Sequence, residues 1–289
     1  MREIKILEPH GYCSGVTNAI NIAKKAKLEH SNQEVYLLGM LVHNEHVIKQ
    51  LTDLGIICFT CETKTKEELI TMIPDGSVII FSAHGHSDKL NDLAKQKHLI
   101  VYDATCPKVE KNMNLIKEEI AKGGEVIYVG QKGHAECEAA LSISEKVSLY
   151  DTKLLINNYK YTNRKPLVVN QTTLNIIELS NIYKDILKDN PGAVILDEIC
   201  ASTRLRQEAL RNIPKECDLI LVIGDTHSSN TNRLKDVAEH LHPNIPTVMV
   251  SSLDELDKDL IKEKKNIVIS TGASTSPEVI NDIYNYLNN

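Results

Sequence analysis

Three cysteines recur in this chain at nearly equal spacing and in the same local setting, and that periodicity limits the possible folds more than any other feature. Cys13, Cys106 and Cys200 lie 93 and 94 residues apart, in the contexts EPHGYCSGV, YDATCPKVE and LDEICASTR. Each ends a strand-like run and opens a helical one. A repeat of this length implies three similar units, each close to a third of the 289 residues. Two polar turns follow each cysteine at matching offsets. The first is His43-Asn44, His134-Ala135-Glu136 or Ser228-Ser229-Asn230, beginning 30, 28 and 28 residues after its cysteine. The second is Ala83-His84-Gly85, Gln171-Thr172-Thr173 or Gly272-Ala273-Ser274, in which His84, Thr172 and Ser274 follow by 71, 66 and 74 residues.

Between these turns, β-type runs alternate with amphipathic helical stretches. The runs are 4–7, 34–39, 77–83, 99–104, 125–130, 166–171, 193–198, 218–224 and 266–271. Strands alternating with helices mean βαβ units and mostly parallel sheet. The helical period is clear after Cys106, where Val109, Met113, Ile116 and Ile120 step by three or four behind Pro107, a residue tolerated in a first helical turn. It returns after Ser229 in Leu234, Val237, Ala238 and Leu241. Aromatic residues make up only 4% of the chain, so Ile, Leu, Val and Ala must fill the core, as suits α/β layers. The expected architecture is a trefoil of three α/β units, 1–98, 99–192 and 193–289, with their ligand-binding edges meeting at a common centre. Residues 153–166, the least patterned stretch, read as a surface excursion of the second unit. Sequence alone leaves open whether the first strand packs in its own unit or closes the third.

The charge balance excludes some classes of partner. Lys and Arg total 33 against 39 Asp and Glu, a net charge of −6, which argues against a molecule-wide nucleic-acid surface. No apolar run approaches the ~20 residues of a membrane span, and the N-terminus lacks a signal-peptide core. A cytoplasmic protein with neither a nucleic-acid nor a membrane partner is expected. In a reducing compartment, seven scattered cysteines indicate metal or redox chemistry, or plain buried thiols, before a disulfide framework.

In open parallel sheets, ligands bind at the carboxyl ends of the strands, where helix N-termini supply donors. A cysteine at a helix N-terminus has its thiolate, the metal-ligating form, stabilised by the helix dipole. Three such thiolates suit an iron–sulfur cluster with one open iron, or a zinc ion completed by His or water; spacing does not separate the two. Cys58-Phe-Thr-Cys61 is the one local CxxC, yet it lies off the repeat and has no second CxxC partner. Cys137 and Cys217 fall in or beside helical patterns and read as spectators. His43, His84 and His134 differ from the other histidines in occupying equivalent loops. With Ser228, Ser229, Asn230 and Ser274 they make a neutral-to-cationic donor set nearly free of Lys and Arg, able to bind a diphosphate through hydrogen bonds, with protonated His supplying some charge. The Ser-rich turns also read as helix caps, and a cap can present its backbone N–H groups to an anion. Glu136, two residues from His134, reads as a dipole partner at a helix start or as a proton donor acting through Thr172.

Nine motifs, in order along the chain, resemble those of the LytB family, reductases of 4-hydroxy-3-methylbut-2-enyl diphosphate: GYCSGV, LVHNEHV, FSAHG, DATCP, GHAECEA, QTTL, DEICASTRLRQEA, SSNTNRL and GASTSPE. The resemblance implies a [4Fe–4S] cluster on Cys13, Cys106 and Cys200, one per chain, with an open iron for the substrate hydroxyl. It assigns His43, His84, His134, Ser228, Ser229, Asn230 and Ser274 to the diphosphate, Thr172 to the vicinity of the hydroxyl, and Glu136 to proton donation. It also implies electron delivery by a ferredoxin or flavodoxin, and isopentenyl and dimethylallyl diphosphates as products. Three departures stand out. His227 replaces a usual Asn and Asp225 lies where Lys is common; His86 follows FSAHG in place of an apolar residue; and the last loop is one residue longer before its Pro. The C-terminal RNA-binding extension found in some members is not expected.

Overall fold

A computed structural model describes residues 2–61, 63–157, 159 and 165–289. In chain order the first part runs β1 (Glu3–Ile6), α1 (Ser14–Glu29), β2 (Val35–Leu38), α2 (Glu45–Asp53), β3 (Ile56–Phe59), α3 (Lys66–Met72), β4 (Val78–Phe81), α4 (Asp88–Gln96) and β5 (Ile100–Asp103). The middle part is α5 (Pro107–Ala121), β6 (Val126–Gly130), α6 (Ala135–Leu141), β7 (Val147–Asp151), β8 (Ile156–Asn157), β9 (Leu167–Asn170), α7 (Ile176–Asp189) and β10 (Val194–Ile195). The last part is α8 (Ala201–Ala209), β11 (Leu219–Ile223), α9 (Ser229–Leu241), β12 (Thr247–Val250), α10 (Lys258–Lys262), β13 (Asn266–Thr271) and α11 (Pro277–Asn288).

These strands form three sheets, ordered β3-β2-β4-β5, β10-β9-β6-β7-β8 and β1-β13-β11-β12. Every pairing is parallel except that of the short β8 with β7. The mixed α/β class and the parallel sheets are those expected. β2, β4, β6, β9 and β11 are buried along their whole length, because helices cover both faces of each sheet. In the first sheet, for example, Leu37 and Ile80 pack with α1 residues on one face, while Leu38 and Ile79 pack with Leu69 and Leu90 on the other. The nine expected strands are present, most of them shortened by a residue or two. Four were not anticipated: β3, β7, β8 and β12. β3 and β12 are edge strands with only one buried residue each, which leaves them little apolar signal.

Strand pairing also decides where the repeat joins itself. β1 hydrogen-bonds to β13, with Ile4 opposite Ile267 and Ile6 opposite Ile269, and so belongs to the third sheet. β5 likewise pairs with β4, and β10 with β9. Each strand that leads into a repeat cysteine is therefore an edge strand of another unit's sheet: the first for Cys106, the second for Cys200 and, closing the cycle, the third for Cys13. The divisions 1–98, 99–192 and 193–289 follow the sequence repeat, whereas the hydrogen-bonded sheets are offset from them by one strand at each junction. A strand joins the edge that offers it unpaired N–H and C=O groups, wherever the repeat begins. Of the excursion over 153–166, positions 158 and 160–164 lie outside the described residues; β8 occupies part of the rest.

Candidate active site

The carboxyl ends of the three sheets carry nine loops with functional side chains. The loops after β2, β4 and β5 hold His43, His84 and Cys106. Those after β6, β9 and β10 hold His134 with Glu136, Thr172 and Cys200. Those after β11, β13 and β1 hold Ser228 to Asn230, Ser274 and Cys13. All twelve side chains singled out from sequence line one pocket, including every repeat cysteine. Cys58 and Cys61 do not line it; both are free thiols, and Cys61 is exposed.

Backbone chemistry holds the cysteines in equivalent places. Each is the N-cap of its helix, Cys13 and Cys106 with extended backbone. Their backbone N–H groups donate to Ala273 O (2.9 Å), Ala83 O (3.0 Å) and Thr172 O (3.0 Å) for Cys13, Cys106 and Cys200 respectively. The second polar turn of each repeat thus anchors one cysteine. Cys106 Sγ sits over the first turn of α1, where Gly15 leaves room: a Cβ there would come within 2.7 Å of the sulfur. Burial pushes the Cys106 thiol up, and the charges of Cys13 and Cys200 push the same way. Among the described residues, no three His, Cys, Asp or Glu side chains converge closely enough to hold a single ion.

Arg206, which sequence reading passed over, lies on the helix that Cys200 caps, within electrostatic reach of Cys13 and Cys200. It is only 2% exposed, and its guanidinium donates to Thr271 O (3.1 Å), Gly11 O (2.6 Å), Ser202 O (3.2 Å) and Ser202 Oγ. All these acceptors are neutral. Isolated buried charge is costly, so a guanidinium placed here fits a site whose three thiolates and their ligand carry negative charge.

The histidines form a cluster. The His43 and His84 rings stack with centroids 4.1 Å apart, and His134 meets them edge-on at 5.3 and 5.8 Å. Of the neutral-to-cationic range expected for the donor set, the pocket by itself favours the neutral end. Burial, with repulsion from the neighbouring cations, lowers His43, drives His84 well below the usual imidazole range and takes His134 to about 3, so the pocket presents neutral rings. His134 Nδ1 accepts the Glu136 backbone N–H at 3.2 Å, which places its proton on Nε2 as a donor. The Lys66 ammonium, half-buried at the start of α3, acts on all three rings. Nothing in its sequence setting, an ordinary Thr-Lys-Glu-Glu capping box, marks it.

Asn230, 5% exposed, has neither amide atom hydrogen-bonded. Leaving buried polar groups unpaired costs about 1–3 kcal/mol each, which a ligand would recover. Ser228 caps α9 by accepting from Thr231 N at 3.4 Å. Asp225, one of the sequence departures, is buried and bonds the Glu45 N–H from the first sheet's loops (2.8 Å) as well as the His227 N–H (2.8 Å) and Nδ1 (3.0 Å). It ties α2 to the α9 turn. His86 is likewise accounted for, lying against Phe81 and 3.2 Å from Asp103.

Glu136 is buried at 2% exposure in a closed network. Tyr128 Oη donates to Oε1 (3.1 Å), as does Thr172 N (3.0 Å), while Thr172 Oγ1 lies 2.9 Å from Oε2. Burial raises its carboxyl to about 7, against the opposing pull of the Thr172 and Tyr128 hydrogen bonds. When Glu136 is protonated, Oε2–H can donate to Thr172 Oγ1, turning the threonine O–H toward the pocket. Tyr128 was not anticipated, since a tyrosine inside an apolar strand reads as core.

This pocket can be set beside those of known proteins. The chain matches the LytB protein family over residues 4–288. A Geobacillus sp. protein named 4-hydroxy-3-methylbut-2-enyl diphosphate reductase is 37% identical over 289 residues, covering 99% of this chain and 90% of the relative. A Bacillus subtilis protein of the same name matches with the same identity and coverage. Among solved structures, the E-1-hydroxy-2-methyl-but-2-enyl-4-diphosphate reductase from Plasmodium falciparum aligns with a TM-score of 0.90 at 28% identity, covering 100% of this chain and 88% of the other. A second, (E)-4-hydroxy-3-methyl-but-2-enyl diphosphate reductase, described as the terminal enzyme of the non-mevalonate pathway, aligns at 0.68 with 27% identity, covering 100% and 99%. Because the match runs from β1 to α11 through every loop that builds the pocket, the chain belongs to the LytB family.

Proposed function

We propose that this chain catalyses the reductive removal of the hydroxyl group of 4-hydroxy-3-methylbut-2-enyl diphosphate, yielding isopentenyl and dimethylallyl diphosphates. The observation that carries this reading is one pocket combining three cysteines at helix starts, a neutral His, Ser and Asn donor set, and a buried carboxylic acid. The C–O bond breaks and a C–H bond forms, so two electrons and two protons enter and water leaves. Cys13, Cys106 and Cys200 would hold a [4Fe–4S] cluster. Its support is that three thiols, each at the start of a helix, line one pocket, and that the chain belongs to a family of reductases. When bound, that group supplies one-electron transfer and a Lewis-acidic iron with no protein ligand. The electron donor is a ferredoxin or flavodoxin, and the location cytoplasmic. Among the described residues no helix is long and apolar enough to cross a membrane.

The protein's own residues bind, orient and protonate. His134 Nε2–H, the seryl hydroxyls and the Asn230 amide donate to the diphosphate oxygens, and the charge of Lys66, which is felt at all three histidines, offsets part of theirs. Glu136, half-protonated near neutrality, passes a proton through Thr172 to the departing hydroxyl. The deciding experiment is anaerobic turnover of the hydroxylated allylic diphosphate with a chemical reductant. Formation of the two C5 diphosphates by brown protein is expected; colourless protein containing zinc, or no dehydroxylation, would sink the proposal.

His84→Ala tests the diphosphate pocket separately. Losing one neutral donor, worth about 1 kcal/mol, should weaken inorganic pyrophosphate binding and raise KM roughly five- to tenfold with kcat little changed. Competitive inhibition by pyrophosphate measures this. Unchanged affinity would remove His84 from the binding set.

A further inference from the structure

The charge balance around the cysteines contains one unmatched positive term. Arg206 sits on α8 two turns from Cys200 and reaches the loop before Cys13 through Gly11 O, and the end of β13 through Thr271 O. Its acceptors are three carbonyls and one hydroxyl. Arginine in a protein interior is ordinarily paired with a carboxylate or phosphate. Here the negative groups that favour its charge are, in order, Cys13, Cys200 and the largely exposed Glu8, against the cost of burial. Lys108, which also lines the pocket, stands exposed in the N-terminal turn of α5.

We infer that Arg206 sets the reduction potential of the cluster proposed for Cys13, Cys106 and Cys200, its buried guanidinium favouring the form that carries one more electron. The inference rests on the cluster reading given above. A fixed positive charge in a low-dielectric site stabilises added negative charge, and net charge and hydrogen bonding near a cluster are the protein's main controls on its potential. The same side chain fastens the loops of two cysteines, so a purely mechanical role must be separated from an electrostatic one. Arg206→Lys retains the charge and loses the planar fork; Arg206→Gln retains hydrogen bonding and loses the charge.

The test uses full-length wild type, R206Q and R206K, reconstituted anaerobically with iron and sulfide and poised with dithionite and mediators in the absence of substrate. Dithionite gives up one electron per cluster, no proton moves, and the visible bleaching and electron paramagnetic resonance signal report the reduced fraction. At the wild-type midpoint, R206Q should show a ratio of reduced to oxidised cluster at least about tenfold lower, which is about 59 mV for a one-electron couple. R206K should remain within about twofold of wild type, well under 59 mV. An unchanged ratio in R206Q, or an equal fall in R206K, overturns the inference. If R206Q cannot hold the cluster, R206K decides: a normal ratio supports the charge role, and loss of the cluster from R206K as well overturns it. Wild type that acquires no cluster refutes the proposed cofactor instead.

Discussion

Cys106→Ser is expected to abolish both the visible absorbance and the turnover while leaving the fold intact. The expectation of an intact fold comes from its position. Cys106 caps α5 without a side-chain hydrogen bond, and serine is a favoured residue at that position, so helix stability should hold or improve. Its backbone N–H still donates to Ala83 O, keeping the loop in place. What changes is the ligand: a serine hydroxyl is a hard donor that stays protonated near neutrality, whereas iron–sulfur sites are held by soft thiolates. The site then has two cysteines where three are needed. Iron content, absorbance and turnover should fall together by two orders of magnitude or more in rate, on the order of 3 kcal/mol or more in transition-state stabilisation. Circular dichroism and thermal unfolding of the metal-free proteins should match wild type. A serine variant that keeps its colour and activity would remove Cys106 from the ligand set.

Glu136→Gln should retain substrate binding and lose about 10²- to 10⁴-fold in kcat, the range for removal of a positioned proton donor. Glutamine fills the same space and can accept from Tyr128 Oη and Thr172 N, so the network around Thr172 should persist with its acid removed. The pH dependence gives a second readout. The carboxyl is raised to about 7 by burial, and the donating form is the protonated one. In wild type, kcat/KM should therefore decline as pH rises through about 7, and the residual rate of the variant should lack that limb. The sign is the same for stability. A carboxyl raised in the folded state binds its proton more tightly there than in the unfolded chain, a contribution present in full below the unfolded pKa and lost as pH rises through about 7. Full turnover in Glu136→Gln would refute the proton-donor role.

Much of this site is legible before any coordinates. Cys13, Cys106 and Cys200 stand out because strand, polar residue and helix follow one another locally, and a repeat of 93 and 94 residues makes the coincidence visible. His43, His84 and His134 emerge for the same reason. Arg206 and Lys66 do not, because a cation within a helical pattern ordinarily faces water, and nothing nearby in sequence says that Arg206 is buried and Lys66 half-buried. Tyr128 is hidden in the apolar run of β6. Nor does sequence show how far the histidines lean toward neutrality: an isolated imidazole is partly protonated near pH 7, whereas burial of three rings packed within 6 Å of one another disfavours their charged forms.

Sequence alone determined the α/β class, the threefold repeat and the residues at the helix starts, since side-chain periodicity and capping act over a few neighbours. Tertiary structure decided which sheet each edge strand completes. β1 joins β13 across more than 260 positions because that edge offers it a ladder of free N–H and C=O groups, and no local pattern in either strand specifies the other. The same closure creates the pocket interior, and with it the neutral histidines, the acid held near 7 and the guanidinium among neutral acceptors. Those properties arise from desolvation, which depends on what the whole chain brings to one place.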